Sequence, residues 1–303
     1  MSDRPQMSRP DREITELPSI GSLDISIRRS FLVTLWEMDN TRKLTLLLLL
    51  GLFWEAVVVL FSVPDIIIPS ASETLAAFVD GVVSGIIPRA VWNSIQTLLL
   101  GYAIGLMISA VLVGFAVAYR FSSDFLTTMA AMLNPLPAIA LLPLAMIWFG
   151  LGDGAIIFTL LHSIVWPVSL YTMTGFRGIS PTVRMMGRNY GLKGPRYIAL
   201  ILVPAAFPTI LSGLRIGWAF SWRTLMAAEL VFGGQVSGGG FSGSATTDAG
   251  GLGWFIFRSQ MESQTAGVFA GLLAIIFIGV LVENVLFRGV EKATIERWGM
   301  TRA

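Results

Sequence analysis

The sequence contains no cysteine in 303 residues, so disulfides and thiolate metal sites are excluded, and cysteine usage says nothing about the redox compartment. There is one histidine, His162, which rules out a histidine-rich metal site. No G-x-x-x-x-G-K-[ST] occurs, so the chain is not expected to bind ATP through a P-loop. Charge is scarce as well: 13% of residues are charged, against roughly 25% in a soluble domain. That deficit, 54% hydrophobic residues and several apolar runs of roughly 20 residues indicate a polytopic membrane protein.

The net charge of +2 is uninformative; its distribution is not. Six spans are expected, at about 44–63, 92–119, 125–149, 155–175, 209–232 and 266–287. With both termini cytoplasmic, the inside segments hold 17 of the 21 basic residues: seven in the tail, Arg120, five from Arg177 to Arg196, and four from Arg288 to Arg302. The outside loops hold only Arg89 and Arg258, while Arg215 and Arg223 fall within a span. This asymmetry follows the positive-inside rule and places the chain in a cell (inner or plasma) membrane. Basic residues placed by topology alone give no support for nucleic-acid binding. The first apolar run begins 43 residues in, after Arg42-Lys43, which is not the pattern of a cleavable signal peptide.

The expected organisation has four parts. Residues 1–43 form a polar cytoplasmic tail in which Ile25 to Trp36 can lie on the membrane as an amphipathic helix. Residues 44–90 hold the first span and an external loop, with a surface helix running to Val83. Residues 91–287 form a core with a cytoplasmic loop at 176–208, and residues 288–303 a short charged tail. Gly101, Gly105 and Ser109, like Gly267 and Gly271, recur at four-residue spacing and suit close helix packing, within the chain or in a dimer. Loop 233–265 is glycine-rich, and Gly253 to Met261 reads as an interfacial helix anchored by Trp254.

The most sharply punctuated stretch is Ser180 to Arg215. Ser180 can cap a helix with Pro181 at its first position, and Gly191 suits the left-handed residue that closes it. Pro195 can start a second helix, Pro204 interrupts it, and Pro208 opens the next span. The expected product is a rigid knuckle carrying Arg184, Arg188, Lys193 and Arg196 out of the bilayer.

The spacing from Gly191 through Val203-Pro204 to Pro208, followed by Gly213-Leu214-Arg215, resembles the coupling loop of binding-protein-dependent ABC permeases. Arg188 to Gly194, Trp148-Phe149-Gly150 after Leu141-Leu142-Pro143, and Ala228-Glu229 resemble the branch importing sulfonates, taurine, nitrate and bicarbonate. One departure stands out. Met185, Met186 and Gly187 occupy the positions of the family's E-A-A, so the acidic residue is missing. The resemblance implies an all-α permease of the type I importer fold, working as a homodimer without a cofactor or covalent chemistry of its own. Two ATPase subunits would receive the knuckle through Arg184, Arg188, Tyr190, Gly191, Leu192, Lys193 and Pro204, and an external binding protein would deliver the solute.

Other motifs bear on the solute path and on rival functions. Asn134, Pro135, Pro137 and Pro143 interrupt the third span, which either lines the path or is a bent packing helix. Arg223, deep in the fifth span, either gives the path positive potential or is buried in a pair with Glu55 or on a backbone carbonyl. The Gly150-Leu151-Gly152-Asp153 match to intramembrane aspartyl proteases lacks a second aspartate within a span and reads as a turn. The competing class, a secondary transporter or channel acting alone, predicts inverted repeats and a run of intramembrane ionisable residues, and neither is visible.

Overall fold

A computed structural model of the chain describes residues 39–232 and 250–297. The expected amphipathic helix at Ile25 to Trp36, the glycine-rich stretch 233–249 and the last residues of the C-terminal tail lie outside the described residues. Every regular element among the described residues is helical, and the chain is an all-α multi-pass membrane protein. Five helices are long and apolar enough to cross a membrane, at 42–60, 86–118, 153–177, 194–231 and 265–296. The third expected span, 125–149, is not one helix. It is a pair, 120–133 and 138–149, bent by 92°.

The chain divides into two compact units at 51/52. The described part of the first unit opens α1 (Asp39–Leu60), whose Leu46 to Leu50 are all more than half exposed. A helix that is apolar on every side is suited to lipid rather than to a polar face.

In the second unit, α2 (Ala71–Val83) begins with a capping box. Ser70 Oγ accepts from the Glu73 amide at 3.1 Å, and a Glu73 carboxylate oxygen accepts from the Ser70 amide at 3.0 Å. Glu55, within the first span, accepts the Ser72 amide and hydroxyl at 3.1 and 2.8 Å, so this intramembrane carboxylate is held by the start of α2. Helix α3 (Ile86–Ala118) then packs along α6 (Asp153–Arg177) through its small-residue stripe. A β-carbon at Gly101 would stand 2.9 Å from Leu160, and one at Gly105 2.8 Å from Ile164. Ser109 donates to the Val165 carbonyl at 3.3 Å. Both stripes are used inside the chain, since Gly271 meets Ile256 in the same way.

Between them lies the broken span, α4 (Arg120–Leu133) and α5 (Leu142–Phe149). Pro135 and Pro137 have no amide to continue the helical ladder, and each disfavours helical geometry in the residue before it. The chain leaves helix at Asn134 and resumes through a 3₁₀ turn at Ala138–Leu141. Gly150, with φ +73°, then makes the turn into α6, and Asp153 is simply the first residue of that helix.

After α6 come α7 (Pro181–Asn189), α8 (Gly194–Tyr197) and α9 (Val203–Phe232). The expectation that Pro204 interrupts this region is corrected. Residues 194–231 form one candidate span, because a π turn at Ile198–Leu202 precedes the proline. There the Val203 amide bonds to the Ile198 carbonyl, five residues back, and the widened turn lets the helix pass a residue that lacks the donor. The span therefore begins well before 209. Beyond it, α10 (Leu252–Met261) and α11 (Thr265–Leu281) complete the bundle. Helical structure continues past 287 to Glu296, where Arg215 of α9 pairs with Glu283 at 3.1 Å and Glu291 at 3.2 Å.

Candidate functional site

The knuckle is built by local chemistry. Ser180 Oγ accepts the Val183 amide at 3.4 Å and Pro181 leads α7. Gly191 takes φ +73° and donates to the Arg188 carbonyl at 2.9 Å, while Leu192 donates to Gly187 at 3.2 Å. Those two bonds are the Schellman closure that a left-handed residue just past a helix end permits. Gly187 is buried, and a β-carbon there would stand 2.8 Å from both Tyr197 and Ile201. A glycine at this position lets α7 lie directly on the base of the next span.

The exposed face carries apolar as well as basic side chains. Met185, Met186 and Tyr190 are 57%, 53% and 79% exposed, and Arg188, Lys193 and Arg196 are exposed with them. Arg184 does not point away: its guanidinium donates to the Phe176 carbonyl and, at 3.3 Å, to that of Ile179, satisfying the end of α6. Arg188, Leu192 and Lys193 line a cavity of about 530 Å³ beside the knuckle. Pro204 lies within the following helix, away from the turn. Where the family has an acidic residue, this chain presents methionine, a flexible apolar side chain suited to an adaptable contact surface.

The second feature brings together residues from three separate stretches. Asn134, Pro135 and Pro137, in the break of the third span, line one cavity of about 390 Å³ with His162 and Ser163 of α6 and Phe220 and Arg223 of α9. Ser163 and Thr224 share a hydrogen bond of 2.8 Å that pins the two long helices at this level. Arg223 is exposed, and its guanidinium lies 6.0 Å from the Phe220 ring centroid. Among the described residues no carboxylate lies within ion-pair distance of it, and Glu55 is engaged by Ser72 instead. The cavity therefore offers one cation, amide and hydroxyl groups, and walls of proline, leucine and phenylalanine. It can receive a small anion that has both polar and apolar parts.

A third site was not found from the sequence. Glu229, 3% exposed near the C-terminal end of α9, accepts Ser94 Oγ at 2.8 and 2.9 Å and the Gly253 amide at 2.8 Å. Ser94 Oγ in turn accepts the Leu252 amide at 2.8 Å, and Asn93 donates to the Gly250 carbonyl at 3.2 Å. A buried carboxylate thus holds the start of α10 against α3 and α9. Gly251 and Gly253 are required by close approach, since a β-carbon at Gly253 would lie 2.6 Å from Glu229. The segment expected to be an interfacial helix is instead packed inward, with Leu252, Ile256 and Ser259 all buried. In the sequence Ala228-Glu229 stood out only as part of the family resemblance, and Gly250 to Gly253 only as part of a glycine-rich loop.

Comparison with known proteins supplies the context. Residues 101–294, well over half of the chain, match the model of the binding-protein-dependent transport system inner membrane component. The taurine transport system permease protein TauC of Escherichia coli is 26% identical over 258 residues, covering 82% of this chain and 88% of that protein. The nitrate import permease protein NrtB of Synechocystis is 27% identical over 184 residues, 61% of this chain and 58% of its own length. A provisionally named ABC transporter permease of Methanocaldococcus jannaschii is 28% identical over 166 residues, 55% of this chain and 57% of its own.

Proposed function

The chain belongs to the family of binding-protein-dependent transport system inner membrane components, and from that premise we propose that it is the membrane-spanning subunit of an ABC importer for a small anion of the sulfonate, taurine or nitrate kind. It works as a homodimer in the cell membrane with both termini in the cytoplasm. Two copies of a separate ATPase dock on the knuckle through Met185, Met186 and Tyr190, and Gly191 sets the turn that keeps this face presented. A binding protein delivers the solute on the outer side, near α2 and α10. Closure of the ATPases around ATP pushes the two knuckles, and the rigid lines from α7 into α9 convert the push into a change of access. The chain makes and breaks no covalent bond.

The observation that carries the solute reading is the cavity holding Asn134, Pro135, Pro137 and Arg223. These residues come from the two spans most marked by irregular or charged chemistry, and they share one hollow. Backbone freed by prolines inside a membrane is tolerated only against protein or a water-filled cavity. An arginine far along a span, with no carboxylate within ion-pair distance among the described residues, is suited to lend that hollow positive potential. Arg223→Gln should leave the assembled complex and its basal ATP hydrolysis intact while weakening uptake of the anion. One desolvated charge-assisted hydrogen bond is worth about 1.5–3 kcal/mol, which is a loss of roughly tenfold or more in the rate at low solute. Uptake by the variant equal to that of the wild type would remove Arg223 from the path.

A further inference from the structure

The cavity beside the knuckle has no role in the function proposed above. It lies between the end of α3, the face of α7 and the base of the next span. Arg184, Arg188 and Lys193 are three of its ten lining residues, and none of the ten is Asp or Glu. Arg184 is already directed to two backbone carbonyls. Arg188 and Lys193 have no carboxylate within ion-pair distance among the described residues. Tyr197 also lines the cavity. The remaining wall is apolar, with Val117, Ala118, Ile198 and Leu202.

We infer that this cavity binds a phosphate-bearing anion, with Arg188 and Lys193 supplying the charge. Its position at the end of two spans, on the side where the basic residues collect, is where anionic lipid headgroups lie. The apolar wall suits the glycerol and first methylenes of such a lipid. A free phosphate offers the same chemistry without the apolar part. The ligand would touch α7, the Lys193 turn and α8 together, so its occupancy would fix how the knuckle sits on the span below it.

The test uses the full chain purified in a zwitterionic detergent, with native mass spectrometry to count bound lipid. Phosphatidylglycerol should bind, and phosphatidylcholine, whose choline cancels the charge, should not. The double variant Arg188→Gln, Lys193→Gln should bind phosphatidylglycerol about 30-fold more weakly, as expected for two cations acting on a headgroup. Arg196→Gln, an exposed cation on the same side that does not line the cavity, should bind as the wild type does. Displacement of the lipid by millimolar inorganic phosphate identifies a site open to free anions, and resistance to it identifies the lipid as the ligand. The inference is overturned if the double variant binds as well as the wild type, if Arg196→Gln weakens binding equally, or if neither phosphatidylglycerol nor phosphate binds. None of these readouts requires the ATPase, so they are independent of the transport reading.

Discussion

Replacing Glu229 by alanine should release the start of α10 from the bundle. Glu229 is 3% exposed and receives the Ser94 hydroxyl and the Gly253 amide, each at 2.8 Å. Removing the carboxylate leaves both donors facing a void, and Gly251 and Gly253 bring no side chain to fill it. Each orphaned donor costs about 1–3 kcal/mol, so the helix start should be destabilised by about 2–6 kcal/mol. That shifts a local opening equilibrium by roughly 30-fold to four orders of magnitude. The absence of native cysteine makes the assay clean, because a single introduced thiol is the only one in the chain. Ser259→Cys places it at a position 5% exposed on α10. A membrane-impermeant maleimide should label this thiol slowly in the parent and much faster with Glu229→Ala. Glu229→Gln keeps one acceptor oxygen and should fall between them. Equal labelling in all three backgrounds would refute the argument that the carboxylate holds α10.

Two further changes probe the helix ends and the bundle. Gly191→Val should uncouple ATP hydrolysis from uptake while the chain still inserts. The position has φ +73° and nothing within 4 Å of a β-carbon, so the cost of about 1–2 kcal/mol is conformational rather than steric. Gly191→Asn, a side chain that tolerates this geometry, should be milder, and equal behaviour of the two would count against the turn assignment. Gly105→Leu should force α3 from α6, because even its β-carbon would meet Ile164 at 2.8 Å, and overpacking of this kind costs about 1–3 kcal/mol. Gly114→Leu, on the same helix but with open space around it, should leave the melting temperature of the purified chain unchanged.

The features legible in the sequence are those set by local chemistry. Hydropathy placed the starts of five spans to within about six residues, while the fifth begins at 194 rather than 209, and Ser180, Pro181 and Gly191 marked the start and end of α7 because capping depends on neighbours three or four positions away. Asn134, Pro135, Pro137 and Arg223 were each conspicuous alone, as proline or charge in an apolar run. Their meeting in one cavity could not be read, since it depends on how α6 and α9 pack. Pro204 was misjudged because a π turn, which has no sharp sequence signature, lets the helix continue. Arg184 was taken for an outward charge because its acceptors lie in the helix before it. The Glu229 site escaped for the same reason: Ser94 is 135 residues away. Both carboxylate holds, Glu55 on α2 and Glu229 on α10, use an acid from a long apolar helix to fix the start of a shorter neighbouring one.

The central claim is that this chain moves solute only when a separate ATPase drives it. It is tested most directly in proteoliposomes containing the chain, with and without its ATPase partner, in the presence of loaded binding protein. Uptake of a radiolabelled sulfonate should require both the ATPase and ATP inside the vesicle with the knuckle, and the chain alone should neither hydrolyse ATP nor pass the solute. Uptake by the chain alone, driven only by a solute or ion gradient, would contradict the account and make it a transporter in its own right.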